Sequence, residues 1–314
     1  VTVTLWQGSP SSVGMELDIE QHRHSIRPEW LPESVWPYPL RAVDVDGRRM
    51  VYTDTGGDGP VLLMVHVGLW SLLWKGMIAE LADRYRCLTL DVPGSGLSDP
   101  APPSLSGAAA AIVRLVDDLD LREVTLVVHD TGGWATLAAV DSSAAWAARV
   151  TGLVAVNTFG WTPRGILRLA LRFFGSTAMR ETMARTGILA WASATRFGAG
   201  RHWDRATKRA WRRGLRDHDR RRFPHRMFAD VTGDRELSTA AERGMALLTD
   251  RPTLTILGQF GDYFRFRRGW GTLRPDLTDT TVPRGLHFPQ CDDPALVATA
   301  VHTWHTRSRG SRST

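Results

Sequence analysis

Apolar residues fall in two rhythms along this chain. Continuous runs occupy 60–67 (PVLLMVHV), 85–92 (YRCLTLDV), 123–130 (EVTLVVHD) and 151–158 (TGLVAVNT). A short run that is apolar at nearly every position predicts a strand buried on both faces, as in a parallel sheet covered by helices. Between these runs, residues 70–83, 107–119 and Gly132 to about Val150 show helical spacing. Ahead of them, 41–54 (RAVDVDGRRMVYTD) alternates on either side of Asp46-Gly47, which predicts a hairpin. From about Trp161 to Asp250 no strand pattern occurs, only helix-compatible stretches rich in Arg, Trp and Ala. Strand patterns resume at 252–258 and 277–283, and 293–305 reads as a last amphipathic helix.

This order predicts an α/β protein. A mostly parallel central sheet is flanked by helices, and an all-helical lid is inserted near its C-terminal edge. The expected division is an N-terminal arm at 1–40, a core at 41–160 and 251–307, the lid at 161–250 and a polar tail at 308–314. The arm is Pro-dotted and polar, and is expected to be partly disordered. A length of 314 residues suits one α/β domain with an insertion.

Composition narrows the function classes. The 43% apolar and 23% charged content is ordinary for a globular enzyme. No apolar run approaches the roughly 20 residues of a membrane helix, and the N-terminus lacks a signal pattern. Two cysteines, Cys87 and Cys291, give no disulfide framework, so a reducing cytoplasm is expected. There is no CxxC or HExxH, so no metal or cofactor is expected. The net charge is +6, yet Arg201 to Arg226 alone holds eleven Arg or Lys against three Asp. That stretch reads as a solvated helical face or a surface for anions. No nucleic-acid-binding motif accompanies it, and no nucleic acid partner is expected.

The chemistry centres on VVHDTGG (127–133). A buried strand ends in a turn, and two glycines open the next helix. That is the context of a nucleophile elbow, with Asp130 at the tip where serine is usual. A carboxylate attacking an ester or amide forms an anhydride, which gains nothing. Attacking a saturated carbon, it displaces a halide or opens an epoxide and forms an ordinary ester. Water then restores the carboxylate. The competing reading is an aspartate that only caps the helix.

Water needs a base. GLHFPQCDDP (285–294) places His287 after the last strand, at the sheet edge that carries Asp130. Asp262 follows the penultimate strand and is the expected partner for the second His287 nitrogen. The other position for such an acid, after the preceding strand, holds the neutral Asn157 and Thr158. Backbone N–H groups of Thr131 and of Val67 or Gly68 are the expected oxyanion donors.

These residues resemble the haloalkane dehalogenase and epoxide hydrolase branch of the α/β-hydrolase superfamily. The resemblance spans about 30–307 and rests on VVHDTGGWATL, YRCLTLDVPGSGLSDP, GLHFPQCDDPALVATAV and LWSLLWKGMI. It implies an Asp nucleophile, a covalent ester, no cofactor and a small-molecule substrate. Two departures bear on the leaving group. Dehalogenases usually carry Trp directly after the nucleophile, where this chain has Thr131, and an Asn-bearing loop where it has HVGLW (66–70). Epoxide hydrolases usually use lid tyrosines, and this lid has none; Tyr263 lies next to Asp262. Trp70, Trp161 and Trp191 join Tyr263 as candidate substrate contacts. The leading expectation is opening of an epoxide to a diol, on a bulky aromatic or polyketide-like substrate of secondary metabolism. Dehalogenation by the same ester route is the alternative. An epoxide-opening cyclase that bypasses water is a further one, and a non-enzymatic binding protein using the basic lid represents another class.

Overall fold

The computed structural model describes residues 26–310. Eight strands form one sheet: β1 (Leu40–Val45), β2 (Arg48–Asp54), β3 (Val61–Val65), β4 (Arg86–Asp91), β5 (Val124–His129), β6 (Val150–Val156), β7 (Thr253–Gly258) and β8 (Thr278–Val282). Their order across the sheet is β1-β2-β4-β3-β5-β6-β7-β8. The β1–β2 hairpin is antiparallel and turns at Asp46-Gly47, as the alternation predicts, and β2 runs antiparallel to β4. Every other pairing is parallel.

Side-chain alternation explains why the central runs carry so few polar residues. Leu63, Val65, Leu126, Val128, Leu153 and Ala155 enter one apolar layer. Their neighbours Leu62, Met64, Val127, Val154 and Val156 enter the other. Each strand feeds two cores, so neither face tolerates charge. One layer is closed by α1 (Lys75–Leu81) and, at the chain end, by the long helix Pro294–Gly310. The other is closed by α2 (Leu105–Asp118), α3 (Thr131–Val140) and α4 (Ala144–Ala148).

Six helices lie between β6 and β7: α5 (Gly165–Phe174), α6 (Thr177–Thr186), α7 (Ile188–Ala192), α8 (Arg205–Gly214), α9 (His218–Gly233) and α10 (Arg235–Leu247). The last does not belong with the others. Leu237, Ala241 and Met245 of α10 pack in the layer of α3, and a Cβ on Gly244 would fall 1.8 Å from Leu137 O. α10 is the ordinary crossover helix to β7, so the insert proper ends near Gly233 instead of Asp250.

Three further differences from the sequence reading follow. A helix α11 (Phe266–Leu273) joins β7 to β8, where the pattern was too short and Arg-rich to declare itself. The short α12 (Pro289–Asp292) precedes α13 (Pro294–Gly310). The expected polar tail is therefore helical through Gly310, and 311–314 lie outside the described residues. Of the expected arm, 1–25 also lie outside them. Its remainder packs down: Leu31, Val35 and Trp36 are buried against the sheet, and Trp36 Nε1 donates to Thr53 Oγ1 at 3.1 Å.

Candidate active site

The strand order reverses direction between β3 and β5, which are neighbours although β4 separates them in sequence. Such a switch point opens a crevice at the strand ends. The loop after β3 and the turn after β5 meet there.

Asp130 sits at the tip of that turn with φ 50° and ψ −135°, a conformation that costs a non-glycine residue on the order of 1–3 kcal/mol. The surroundings enforce it. A Cβ on Gly132 would fall 2.6 Å from Val65 O, so only glycine lets α3 start this close to β3. Thr158 Oγ1 donates to Asp130 O at 2.6 Å and fixes the bent peptide from the next strand. Asp130 makes no side-chain cap bond to α3, so its carboxylate is not spent on the helix end. It points instead at His287: Nε2 lies 3.5 Å from Oδ2, with the two side chains 36% and 21% exposed. Burial alone would raise the Asp130 carboxyl. The hydrogen bond and charge of His287, with the charges of His66 and His129 behind it, prevail and hold it at about 2.

Residues not singled out in the sequence reading hold the His287 loop. Asn157 Nδ2 donates to Leu286 O at 3.0 Å and to His287 O at 3.1 Å, while its Oδ1 accepts from Gly258 N at 3.3 Å. One neutral amide thereby ties the ends of β6 and β7 to the His287 loop. His129 Nε2 bonds His287 O at 2.9 Å. A carbonyl only accepts, so His129 carries its proton on Nε2. Burial keeps His129 neutral, well below its ordinary range. Its Nδ1 is then bare, and the 3.0 Å contact to His66 Nδ1 places the other proton on His66. His66 Nε2 is left a buried lone pair without a partner. Burial also pulls the His66 pKa down, to about 4.

Asp292 accepts from Leu286 N at 2.6 Å through Oδ2, and Arg201 Nε from the insert lies 3.3 Å from its Oδ1. Arg201 Nη1 also donates to Arg284 O at 3.0 Å. The insert thus grips both ends of the His287 loop. The signal for this in sequence is weak, one of ten Arg in a basic stretch. Several others of that stretch are also tethers: Arg220 donates to Ser98 O, Arg221 to Leu215 O, and Arg226 pairs with Asp230. Arg205, Arg209, Arg212 and Arg213 of α8 stand exposed, as a solvated face.

The remaining expected residues divide. Thr131 opens α3, and its hydroxyl donates to Val67 O at 3.4 Å, so Thr131, Val67 and Gly68 do adjoin. Met227 of α9 covers them: its Sδ is 3.6 Å from Thr131 Oγ1, and a Cβ on Gly68 would fall 2.2 Å from its Cε. Asp262 is not brought onto His287. Its Oδ1 accepts the Phe266 N–H at the start of α11, and no ion pair joins it to His287 among the described residues. Trp70 is 2% exposed and wedged among Trp30, Trp211 and Gly214. Trp161 packs in a ring cluster with Phe159, Phe266 and Trp270. Trp191 and Tyr263 are 61% and 64% exposed. No group of His, Cys, Asp or Glu among the described residues could hold a metal ion.

A strained elbow, a histidine beside it and a helical insert above a parallel sheet are features of one large family. A model of the Alpha/beta hydrolase family matches residues 62–310. The chain belongs to that family. Haloalkane dehalogenase 2 of Mycobacterium tuberculosis is 28% identical over 281 residues, covering 85% of this chain and 95% of that protein. Cis-3-alkyl-4-alkyloxetan-2-one decarboxylase of Xanthomonas campestris is 32% identical over 184 residues, 52% of this chain and 59% of that one. Among solved structures, the haloalkane dehalogenase DbeA of Bradyrhizobium elkani superposes with a TM-score of 0.72 at 17% identity, covering 87% of this chain and 99% of that one. A thermophilic esterase of Thermogutta terrifontis does so at 0.63 and 21%, covering 86% and 97%. Likeness that distant speaks to the fold. This hydrolase is consistent with the dehalogenase and epoxide hydrolase branch, and the reading as a non-catalytic binding protein is set aside.

Proposed function

We propose that this hydrolase opens an epoxide through a covalent ester on Asp130. The observation that carries the reading is the free Asp130 carboxylate, strained outward, uncapped and 3.5 Å from His287 Nε2. One Asp130 oxygen attacks a ring carbon, the ring C–O bond breaks, and the alkoxide takes a proton from solvent. His287 then removes a proton from water, which adds to the ester carbonyl carbon. The resulting oxyanion lies toward the N–H groups of Thr131 and of Val67 or Gly68. Collapse breaks the acyl C–O bond, the departing diol oxygen takes the proton held by His287, and Asp130 gives its acid proton back to solvent as the carboxylate is restored.

Asp262 is the carboxylate within the site's chain order that would steady His287 when its ring turns, since only its Oδ1 is engaged. The insert acts as the lid, with Met227 as its contact above the reacting centre, and Trp191 and Tyr263 as exposed candidates for a bulky aromatic or polyketide-like substrate of secondary metabolism. No cofactor enters any step. Two free, buried cysteines fit a reducing cytoplasm.

Two features favour a strained oxygen ring. Thr131 spends its hydroxyl on Val67 O and offers no indole N–H to a halide. The oxetan-2-one named for the Xanthomonas relative is also a strained oxygen ring. The second reading, dehalogenation by the same ester, is favoured by the Mycobacterium relative, which this chain matches over 95% of its length. Intact-protein mass spectrometry on His287→Gln separates them. Without the base the ester accumulates. An adduct of whole substrate mass from an epoxide panel is the expected result. An adduct lacking hydrogen halide, from haloalkanes only, would move the assignment to dehalogenase. Asp130→Asn should abolish turnover and adduct alike while the fold survives.

A further inference from the structure

The insert carries a second apolar face that covers nothing among the described residues. Helix α5 buries Leu167 and Leu171, four residues apart, as a helix packed on a domain should. Ile166, Leu169 and Phe173 stand on another side of it at 70%, 65% and 57% exposure. Their spacing of three and four residues makes one stripe. A helix with one face on the protein ordinarily presents polar residues outward. This one presents a continuous apolar row.

Cations border the row. Arg164, Arg168 and Arg172 recur every four residues, all exposed and none in an ion pair among the described residues. α5 contains no acidic residue. The insert as a whole, 161–233, holds seventeen Arg and Lys against five Asp and Glu, a surplus of twelve in a chain of net +6. The rest of the chain is therefore acidic by six. Among the described residues, seven of the eleven large apolar side chains that stand exposed also fall in this insert, so the two properties are concentrated together. No helix among the described residues is long and apolar enough to cross a membrane.

We infer that the Ile166–Leu169–Phe173 stripe and its arginine border dock the insert onto an anionic lipid surface. An amphipathic helix of this make-up lies in the plane of the interface, its apolar row among the acyl chains. Guanidinium groups pair with lipid phosphates in a two-pronged geometry that lysine does not match. Charge complementarity singles out this occupant: a purely apolar partner would leave three arginines unpaired at the border, whereas an anionic headgroup layer pairs them.

Flotation of the full chain with vesicles tests the inference. Phosphatidylcholine vesicles with added phosphatidylglycerol should carry the protein up the gradient, vesicles of phosphatidylcholine alone should not, and raised salt should release it. Arg168→Gln with Arg172→Gln should weaken partitioning roughly tenfold to thirtyfold. Phe173→Asp should weaken it with Arg168 and Arg172 intact. Both variants should keep the wild-type Tm and should turn over a soluble substrate normally without vesicles, which separates this inference from the one about chemistry. Equal binding to both vesicle types, or variants that bind like wild type, would overturn it. So would variants that change only the oligomeric state, because the stripe would then be an interface between copies of this chain.

Discussion

Met227 reaches out of the insert and sets its sulfur 3.6 Å from the hydroxyl of Thr131, the residue directly after Asp130. The contact joins the helical insert to the strained turn after β5. Met227 is 1% exposed and lies against Gly68, so it fills space beside the backbone of the loop after β3. A flexible thioether adapts to what enters. Met227→Ala should raise kcat/KM for bulky substrates relative to small ones and lower stability by about 2–5 kcal/mol. A series of substrates graded in size, together with urea midpoints, checks both. An unchanged size preference would mean that Met227 only packs.

Arg201 should behave as a positioning residue. It holds Arg284 O and faces the buried Asp292 carboxylate, which in turn holds Leu286 N next to His287. Arg201→Ala frees this loop without touching the reacting atoms. The expected loss falls on kcat, up to about a hundredfold if the base moves by an ångström, with KM nearly unchanged. Arg201→Lys should recover part of it. A KM effect without a kcat effect would place Arg201 in substrate binding instead.

Acid should weaken the fold through buried histidines. An unfolded histidine binds its proton near pH 6.5, while folded His66 does so only near 4 and burial likewise holds His129 well below its ordinary range. Between those values the unfolded chain holds more protons, so stability rises with pH there. Stability is whole above about 6.5 and shrinks as pH falls toward 4, with His66 alone contributing up to about 3 kcal/mol. Asp130 acts lower: its pKa of about 2 keeps it charged through this range, so the loss is not its doing. Urea midpoints across pH 7 to about 4.5 should slope downward, and His66→Gln should flatten the slope. A slope untouched by that substitution would shift the cause to His129 and His305.

Asp262→Asn addresses the acid partner. If Asp262 steadies His287 during ester hydrolysis, turnover should fall roughly a hundredfold or more and the ester should be trapped by mass. Loss of only about 1 kcal/mol of stability, with turnover intact, would make it simply the cap of α11.

The sheet was legible because its strands must be apolar on both faces, and that leaves unbroken runs in sequence. The elbow was legible because Gly132 cannot be anything larger so near Val65. The crossover helix α10 was not, since its amphipathic pattern is the same whether it packs on a lid or on α3. Nor was α11, whose buried residues number only Phe266 and Trp270. In the site, the meeting of Asp130 and His287 was readable from strand-end positions. His66, His129 and Asn157 were overlooked because their work is hydrogen bonding across strands, and a register between β3, β5 and β6 is a three-dimensional fact. His66 and His129 do flank those strand ends, and that was the available signal. Asp262 shows the opposite limit: its chain position suggested an acid beside His287, while its carboxylate accepts the Phe266 N–H.

The insert departs from the sheet after β6, and α10 brings the chain back to β7, the strand beside β6. Everything between is a detour that the register of the sheet never depends on. The two kinds of change open to this protein are therefore unequal. A substitution at the elbow must satisfy a crowded backbone and a fixed base at once, and almost none will. A substitution in the detour need only keep Met227 and Arg201 in reach of their partners. Lineages carrying this arrangement should keep one reaction for a long time while exchanging the molecules they perform it on.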